Sequence, residues 1–331
     1  MSLTQMRSHA HDHDAVAGAD VGTADPAETV RGAFVLTFAF EDWHQLVHRR
    51  IGRADWRAGS EEFEQHVATL LDLLDELGVS ATFFAAGVTA DRHPATLAEV
   101  VARGHEVACH GYEHRRAYRQ TPDEFRRDVV RCVETVERIC GVTPVGYRAP
   151  WFSVTRDSLW AHGILRDLGF RYDSSLYDSP RIPRRIRPVP TRPFRLGDDA
   201  DGLWEFPIAV WRWGRIVLPL GGGAYWRALP SVVLWPGLAS LSRHGTFPVL
   251  YFHPYEFARE PLRVVLPPHA SRREHVRETW RRVSKNTRRD LIGPRLRETA
   301  ARFPLVPFRD ILGTADDDVD STLLRQARAH V

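Results

Sequence analysis

Lysine is nearly absent from this chain of 331 residues, since Lys285 is the single lysine among 45 basic residues. The arginine bias that results is attributed mainly to a GC-rich genome. With 42 acidic residues the formal net charge is only +3. Such a balance gives no whole-protein positive field of the kind that drives nucleic-acid binding, so we expect no nucleic-acid partner.

Cysteines and long apolar runs are also scarce. The three cysteines, Cys109, Cys132 and Cys140, form no C-x-x-C pair, which excludes the usual zinc and redox spacings and predicts reduced, buried thiols. No run of 18 apolar residues spans a membrane, and the first residues contain no apolar segment typical of a secretion signal. These absences predict a cytoplasmic protein without a membrane span.

What the chain does contain is a regular alternation of strand-like and helix-like segments up to about residue 173. The run Ala33–Phe40 is apolar except for Thr37, as in a strand covered on both faces. An amphipathic helix follows at about 60–77, and the alternation then repeats. Strands that alternate with helices are typical of parallel βαβ units, and four or five units in a row favour a closed α/β barrel.

The segments outside this alternation suggest how the chain is organised. Residues 1–31 lack periodicity and are expected to be a disordered arm. Residues 180–195 carry five prolines and six arginines, which predicts a long functional loop. We therefore expect a barrel over 32–312, with an extension from about residue 180, and a mobile tail over 313–331.

Two histidines four residues apart, His110 and His114, follow the predicted strand 106–109. Neutral imidazoles suit Zn, Co, Ni or Fe, and the carboxyl ends of parallel strands are where α/β sites collect. A carboxylate third ligand is available from Glu41-Asp42 at the end of the first strand. The alternative is that Asp42 only caps a helix or turn.

Three further groups of residues fall at predicted strand ends, and each alone has a structural explanation. Arg148 is explained as a surface charge, Asp173 as a turn former and His253 as a core histidine. Their occurrence at successive strand ends argues against coincidence. The groups are Tyr147–Phe152, Tyr172–Ser175 and Tyr251–Tyr255.

Taken in order, these motifs resemble the NodB-homology polysaccharide deacetylases, carbohydrate esterase family 4, over roughly residues 33–312. The likeness is strongest to the subgroup whose first motif reads Asp-x-Glu-Asp-Trp. The resemblance implies a distorted (β/α)7 barrel with a C-terminal extension. The motifs that carry it are Thr37-Phe38 with Glu41-Asp42, Ala81–Phe84, His110-x-x-x-His114, Arg148-x-Pro150-Trp151, Asp173–Ser175 and His253-Pro254.

The resemblance also implies a divalent transition metal, Zn first and Co or Ni as alternatives. Asp42, His110 and His114 would hold it. Glu41 stays a rival ligand, because strand alternation places position 41 rather than 42 on the same face as 39.

Further roles follow from the same resemblance. His253 would protonate the departing amine, and Asp173 would orient it. Arg148 would orient the general base, and backbone N–H near Trp151 would help to stabilise the oxyanion.

The position of the general base is where this sequence departs from the family, which has Asp where this chain has Ala39. A methyl group cannot accept a proton, and loss of a general base costs about 10²–10⁴-fold in rate. Three explanations stay open: an engineered Asp→Ala change that traps substrate, a natural pseudoenzyme, or Glu41 acting as base. The first is favoured because every other catalytic position is retained.

The predicted function is a metal-dependent amide hydrolase that removes an acetyl group, or less favourably a formyl group, from an amino sugar or glycan. A carbohydrate-binding pseudoenzyme, and an unrelated barrel with structural histidines, are the alternatives. Aromatic side chains and the Pro/Arg loop would form the substrate wall, and an anionic glycan, nucleotide sugar or aminoglycoside-like amide would fit it. The predicted substrate-binding residues are Trp151, Phe152, Tyr255, Arg184 and Arg185.

Overall fold

The computed structural model describes most of the chain between residues 32 and 317. The described ranges are 32–50, 56–180, 182, 184, 186–196, 202–214, 216–243, 247–263, 266 and 270–317. The predicted arm (1–31), Arg185 and residues 318–331 of the predicted tail lie outside them. Residues 313–317 of that tail belong to a helix.

Seven parallel strands form the centre of the molecule. The order across the sheet is β10-β1-β2-β3-β4-β5-β7, and β6 extends it antiparallel beside β7. The strands are β1 Phe34–Phe40, β2 Thr82–Ala85, β3 Glu106–Cys109, β4 Gly146–Tyr147, β5 Tyr172–Asp173, β6 Phe194–Leu196, β7 Leu203–Glu205, β8 Val210–Trp213, β9 Ile216–Pro219, β10 Val249–Phe252 and β11 Leu305–Val306.

Strand β1 lies at the centre because every one of its residues is apolar or small and all seven are buried. Its neighbours β2 and β10 pair with it in parallel, Phe38 standing opposite both Phe83 and Phe252. A strand covered on both faces needs such a continuous apolar run.

The sheet curls until its two ends meet. Ile208, just after β7, forms an isolated parallel bridge with Val249 of β10, and the Ala209 N–H donates to the Val249 carbonyl oxygen at 3.0 Å. This closure confirms the predicted barrel. Two of its seven parallel strands, β7 and β10, come from residues beyond 180, so the predicted extension completes the ring.

Helices cover the outside of this barrel. Leu70 and Leu74 of α2 lie in the core, and Gly78 ends that helix in the left-handed conformation at φ 62°, which glycine adopts without steric cost. The helices are α1 Trp43–Arg50, α2 Glu62–Leu77, α3 Gly87–Arg92, α4 Pro94–Ala102, α5 Pro122–Cys140, α6 Trp160–Asp167, α7 Gly223–Ala228, α8 Ser231–Arg243, α9 Arg272–Asn286, α10 Ile292–Arg302 and α11 Phe308–Asp317.

Two further expectations can be compared with the described residues. All three cysteines are free, with Cys109 and Cys132 buried and Cys140 partly buried. Within the described ranges no helix combines the length and the apolar character needed to cross a membrane.

Candidate metal centre and surrounding site

Side chains from several strand ends converge at one mouth of the barrel. Glu41 follows β1, His110 follows β3, and His253 follows β10. Because these strands are parallel, their carboxyl ends share one edge of the barrel, which brings residues distant in sequence together.

The tightest group in this mouth is Glu41, His110 and His114, which we call the mouth cluster. Glu41 Oε1 lies 2.6 Å from His110 Nε2 and 2.9 Å from His114 Nε2. All three residues are buried, and one ligand atom from each lies within 4.8 Å of the others.

The protonation of His110 is fixed by a neighbour outside this cluster. Its Nδ1 lies 2.6 Å from the carbonyl oxygen of Arg148, and a carbonyl can only accept, so Nδ1 carries the proton. In neutral His110 the Nε2 lone pair then faces the Glu41 carboxylate at 2.6 Å. At that distance the contact needs either a second proton on His110 or a bound cation, and one carboxylate with two imidazoles is a donor set that divalent transition metals favour.

The electrostatics of the mouth cluster keep its carboxylate charged. Burial would raise the pKa of Glu41, but the charge of His114 and hydrogen bonds from His110 and His114 hold that pKa well below its usual range. An ionised carboxylate among histidine nitrogens is suited to bind a cation.

A side chain of α5 fixes the backbone of the loop that carries the two histidines. Asp128 accepts the backbone N–H groups of Tyr112 and Glu113 at 2.9 and 3.0 Å. Gly111 needs to be glycine, since its φ is 70° and a Cβ there would lie 2.7 Å from Asp128 Oδ2. These contacts turn His114 back beside His110, their ring centroids 5.1 Å apart.

Asp42 is not part of the mouth cluster, contrary to its predicted place beside the histidines. Its Oδ1 accepts the N–H of His44 at 2.8 Å and its Oδ2 accepts the N–H of Ser60 at 2.6 Å. Oδ1 therefore caps the start of α1, the role that the sequence left open, and Oδ2 ties this turn to the residues before α2. The rival prediction, Glu41, is the residue that the fold brings to the histidines.

Arg148 is buried and has neutral hydrogen-bond partners in place of a carboxylate. Its guanidinium donates to Thr37 Oγ1 at 2.8 Å, and to the carbonyl and Oγ of Ser174 at 3.0 and 2.9 Å. Burial lowers the pKa of Arg148 to about 9. Ala39 lies two residues along β1 from Thr37, on the same face of the strand, so an aspartate there would approach this guanidinium.

Asp173 is not the residue that contacts His253, contrary to prediction. Asp173 accepts a hydrogen bond from Ser175 and lies 3.2 Å from His162. The carboxylate beside His253 is Glu256, whose Oε2 lies 3.3 Å from His253 Nδ1 and accepts the His253 backbone N–H at 3.1 Å. Sequence reasoning missed Glu256, although its i+3 spacing after His253 was a usable signal.

Glu256 is ionised in this position and directs the imidazole. Burial would raise its pKa, but the His253 hydrogen bond and the charges of His253, Lys285 and Arg227 lower it. With Nδ1 facing Glu256, the other ring nitrogen of His253 lies 3.9 Å from Glu41 Oε2. His253 therefore stands at the edge of the mouth cluster.

The predicted substrate-binding residues are distributed between the rim and the interior. Trp151 is 41% exposed, and its ring lies 5.5 Å from that of His114. Phe152 packs on Tyr177 and Tyr251 in the core, and Tyr255 stacks behind His253 at 4.8 Å. Arg184 is exposed beside Asp157 and over the ring of Tyr118.

Trp151 and Phe152 have an unusual backbone. Their φ angles are 62° and 52°, in the left-handed region that side-chain-bearing residues seldom adopt. Strain of this kind is often found where a loop is held for function. It turns the indole of Trp151 toward His114 at the rim.

A cleft beside the mouth cluster contains two residues that sequence reasoning missed. It has room for about 10 Å³, on the order of one water molecule. Its lining includes Glu41, His114, Arg49 and Trp56. The Arg49 guanidinium lies 4.6 Å from the centre of the Trp56 ring, and its Nη1 is buried without a hydrogen-bond partner among the described residues. The cleft thus offers an aromatic face and a positive charge next to the mouth cluster.

Two family models match adjacent parts of the chain. Residues 56–172 match the model described as polysaccharide deacetylase. Residues 174–309 match a model described as a domain of unknown function.

Two curated relatives each match about two fifths of the chain. A peptidoglycan deacetylase-like protein of Gibberella zeae is 31% identical over 131 residues, which are 39% of this chain and 38% of the relative. The peptidoglycan deacetylase of Helicobacter pylori is 30% identical over 127 residues, 38% of this chain and 41% of the relative. The chain thus spans about two fifths of the length of these relatives.

Among solved structures, a Mycobacterium smegmatis protein assigned to the polysaccharide deacetylases superposes with a TM-score of 0.57 and 24% identity. The match covers 85% of this chain and 89% of that one. At this identity the likeness concerns the fold.

Proposed function

We propose that the chain is a metal-dependent amide hydrolase of the NodB, or carbohydrate esterase family 4, type, a proposal supported by the match of residues 56–172 to the polysaccharide deacetylase model. Its reaction would remove an N-acetyl group from an amino sugar. The subgroup with an Asp-x-Glu-Asp-Trp first motif stays a prediction.

The observation that carries this proposal is the geometry of the mouth cluster. The proton on His110 Nδ1 is committed to the Arg148 carbonyl, so Nε2 and the Glu41 carboxylate present lone pairs to the same point. Glu41, His110 and His114 would hold the metal, Zn first among the candidates. When bound, such a cation supplies Lewis-acid polarisation of a carbonyl group and lowers the pKa of water.

His253 would donate a proton to the departing amine. Glu256 holds Nδ1 and the backbone of His253, which leaves Nε2 directed toward the mouth cluster. A positioned acid of this kind contributes typically about 10²–10⁴-fold in rate. Glu256 would act as a positioning residue, in the role first assigned to Asp173.

Ala39 would make the hydrolysis slow while leaving binding intact. Glu41 belongs to the mouth cluster and Asp42 caps a helix, so neither carboxylate is free to act as the base at this position. Arg148 retains its charge but binds Ser174 and Thr37. The chain with Ala39 would therefore bind substrate and turn it over poorly.

The substrate would be an amino sugar with an acidic group nearby. Trp151, 41% exposed, offers a face on which a sugar ring can stack. Arg49 lies 4.0 Å from Glu113 through Nη2, and its Nη1, without a hydrogen-bond partner among the described residues, is available to a carboxylate or phosphate. A second arginine, Arg116, lies over the Trp151 ring at 4.9 Å. This support for an anionic substrate comes from Arg49 rather than from the Pro/Arg loop first considered.

The decisive experiment uses the full chain carrying Ala39→Asp, loaded with Zn²⁺ or Co²⁺, on N-acetylated sugars, glycans and sugar nucleotides. Acetate release is the measurement, and the same chain with His114→Ala is the matched control. We expect release from at least one substrate and none from the control. Absence of acetate from every substrate would reject the hydrolase.

A second candidate is a carbohydrate-binding protein without chemistry, favoured by Ala39 at the base position. It would bind the same sugars through the cleft. Turnover by the chain as given that His114→Ala abolishes would contradict it.

A further inference from the structure

A second group of metal-ligating side chains shares no residue with the mouth cluster and lies where β5 and β7 end beside α6. His162 comes from α6, Asp173 from the end of β5, and Glu205 from the end of β7. One ligand atom from each lies within 4.8 Å of the others. Asp173 and Glu205 have no exposed surface and His162 is 8% exposed, and we call this group the buried cluster.

The two carboxylates are each held by one oxygen. Ser175 Oγ donates to Asp173 Oδ1, and the Leu176 N–H donates to Glu205 Oε1 at 2.9 Å. We call the bonded oxygens, Asp173 Oδ1 and Glu205 Oε1, the outer ones, and the remaining oxygens, which face the other members of the cluster, the inner ones. Hydrogen bonds that fix one oxygen of a carboxylate and leave the other available commonly support a monodentate metal ligand.

The inner atoms have no hydrogen-bond partners among the described residues. They are His162 Nε2, Asp173 Oδ2 and Glu205 Oε2. His162 Nε2 and Asp173 Oδ2 approach to 3.2 Å but are not aligned as a hydrogen bond. Buried polar atoms are paired in the great majority of cases, so three that face each other indicate something between them.

The charges of Asp173 and Glu205 also favour a cation bound between them. The guanidinium of Arg148 donates its hydrogen bonds to Ser174 and Thr37 and not to either carboxylate. Two buried carboxylates therefore share one indirect positive charge, and a cation held between them would remove this deficit.

We propose that the buried cluster binds a divalent transition metal such as Zn²⁺ or Mn²⁺, through His162 Nε2, Asp173 Oδ2 and Glu205 Oε2. One imidazole and two carboxylates suit such ions. The site is separate from the mouth cluster and goes beyond the proposed hydrolase. Its metal would tie α6 to β5 and β7 and stabilise the folded state by binding it preferentially.

The test counts metal in the full chain after loading with Zn²⁺ or Mn²⁺ and dialysis. Glu205→Gln keeps the volume of the side chain and removes one ligand charge. We expect it to lose one equivalent of metal relative to the chain as given. Glu106→Gln is the matched control, since Glu106 is also a buried carboxylate but its oxygens are bonded to Thr82, Tyr172 and the Arg309 N–H; it should lose none.

His114→Ala separates this site from the mouth cluster. We expect this variant to retain one equivalent, which Glu205→Gln in the same chain removes. The histidines His9, His11 and His13 are present in every variant, so differences between variants are what count. If the mouth holds no metal, the proposed function fails while the Glu205-dependent equivalent remains.

A shared proton between Asp173 and Glu205 is the rival. It predicts that Glu205→Gln leaves the metal count unchanged and that EDTA leaves the thermal midpoint of the His114→Ala chain unchanged. Either result would overturn the proposal. If Glu205→Gln does not fold, Zn²⁺ titrations of the His114→Ala chain with and without His162→Gln decide. One equivalent that His162→Gln removes supports the site, and equal counts reject it.

Discussion

The mouth cluster and the buried cluster use the same side-chain chemistry, and both are buried, but only the mouth cluster borders a cleft among the described residues. Each combines imidazole and carboxylate groups whose ligand atoms lie within 4.8 Å. The mouth cluster borders a cleft and has exposed Trp151 at its rim, whereas Asp173 and Glu205 have no exposed surface. Access to substrate, rather than ligand type, distinguishes a site for chemistry from a site for stability.

The largest expected effect tests this distinction directly, in the chain with Ala39→Asp. We expect His114→Ala to reduce acetate release below detection with a small change in thermal midpoint. Glu205→Gln should lower the midpoint in the presence of metal and leave the KM nearly unchanged. If both variants fold and both lose hydrolysis, the two clusters do not divide into one for hydrolysis and one for stability.

Ala39→Asp should raise hydrolysis by about 10²–10⁴-fold over the chain as given, because it supplies a general base beside Arg148. The measurement is kcat/KM for acetate release. Ala39→Asn, similar in size but unable to accept the proton, is the control. An equal gain from asparagine would show that packing, rather than base catalysis, limits the mouth.

Glu256→Gln should lower kcat by roughly 10-fold or more, as part of the contribution of a positioned acid, and leave KM nearly unchanged. It should also shift the basic limb of the pH–rate profile, because the imidazole loses its anionic partner. Asp173→Asn tests the position first predicted. If Asp173→Asn lowers kcat more than Glu256→Gln does and leaves the metal count unchanged, Asp173 is the residue that orients His253.

Arg49→Gln should raise the KM for acidic amino sugars by about 10-fold, equivalent to about 1.4 kcal/mol, and leave neutral sugars nearly unaffected. Arg184→Gln is the comparison, since Arg184 is exposed beside Asp157. A larger effect at Arg184 would move anion recognition from the cleft to the Pro/Arg loop.

The smallest effect concerns histidines that belong to neither cluster. Burial lowers the pKa of His66 and of His105 to about 4, below the model-peptide value of about 6.5. Between these values the unfolded chain binds more protons than the folded chain, so stability falls as pH falls from 6.5 toward 4.

The measurement is the urea midpoint of the EDTA-treated chain at several pH values, which removes the contribution of metal release. The charged neighbours of His66 are Glu62, Arg289 and His44, and those of His105 are Asp75, Arg309 and Arg103. His105→Gln should flatten the dependence. An unchanged slope in that variant would contradict the assignment.

The sequence predicted the fold well because the strands and helices of the barrel produce recognisable patterns in consecutive residues. The apolar run of β1 and the amphipathic face of α2 are visible in consecutive residues, and the family resemblance is confirmed by the match over 56–172. Shorter elements such as α1 were missed because a polar helix of eight residues has little periodicity to read.

The site was predictable where motifs are local and less so where contacts are distant. His110 and His114 share one loop. The choice between Glu41 and Asp42 depends on where β1 ends, because alternation between faces stops with the strand and Asp42 then turns to cap α1. The buried cluster joins residues from a helix and two strands, a contact that no local pattern contains.

The closure between Ile208 and Val249 has a consequence for how the protein folds as a unit. The segment that matches the polysaccharide deacetylase model, residues 56–172, excludes β1, β7 and β10 and with them Glu41 and His253. It therefore cannot close the ring by itself, and the boundary between the two family models is not a boundary between foldons. The Ala209 N–H forms the hydrogen bond that closes the barrel. It should exchange its hydrogen only when the segments matched by the two family models open together.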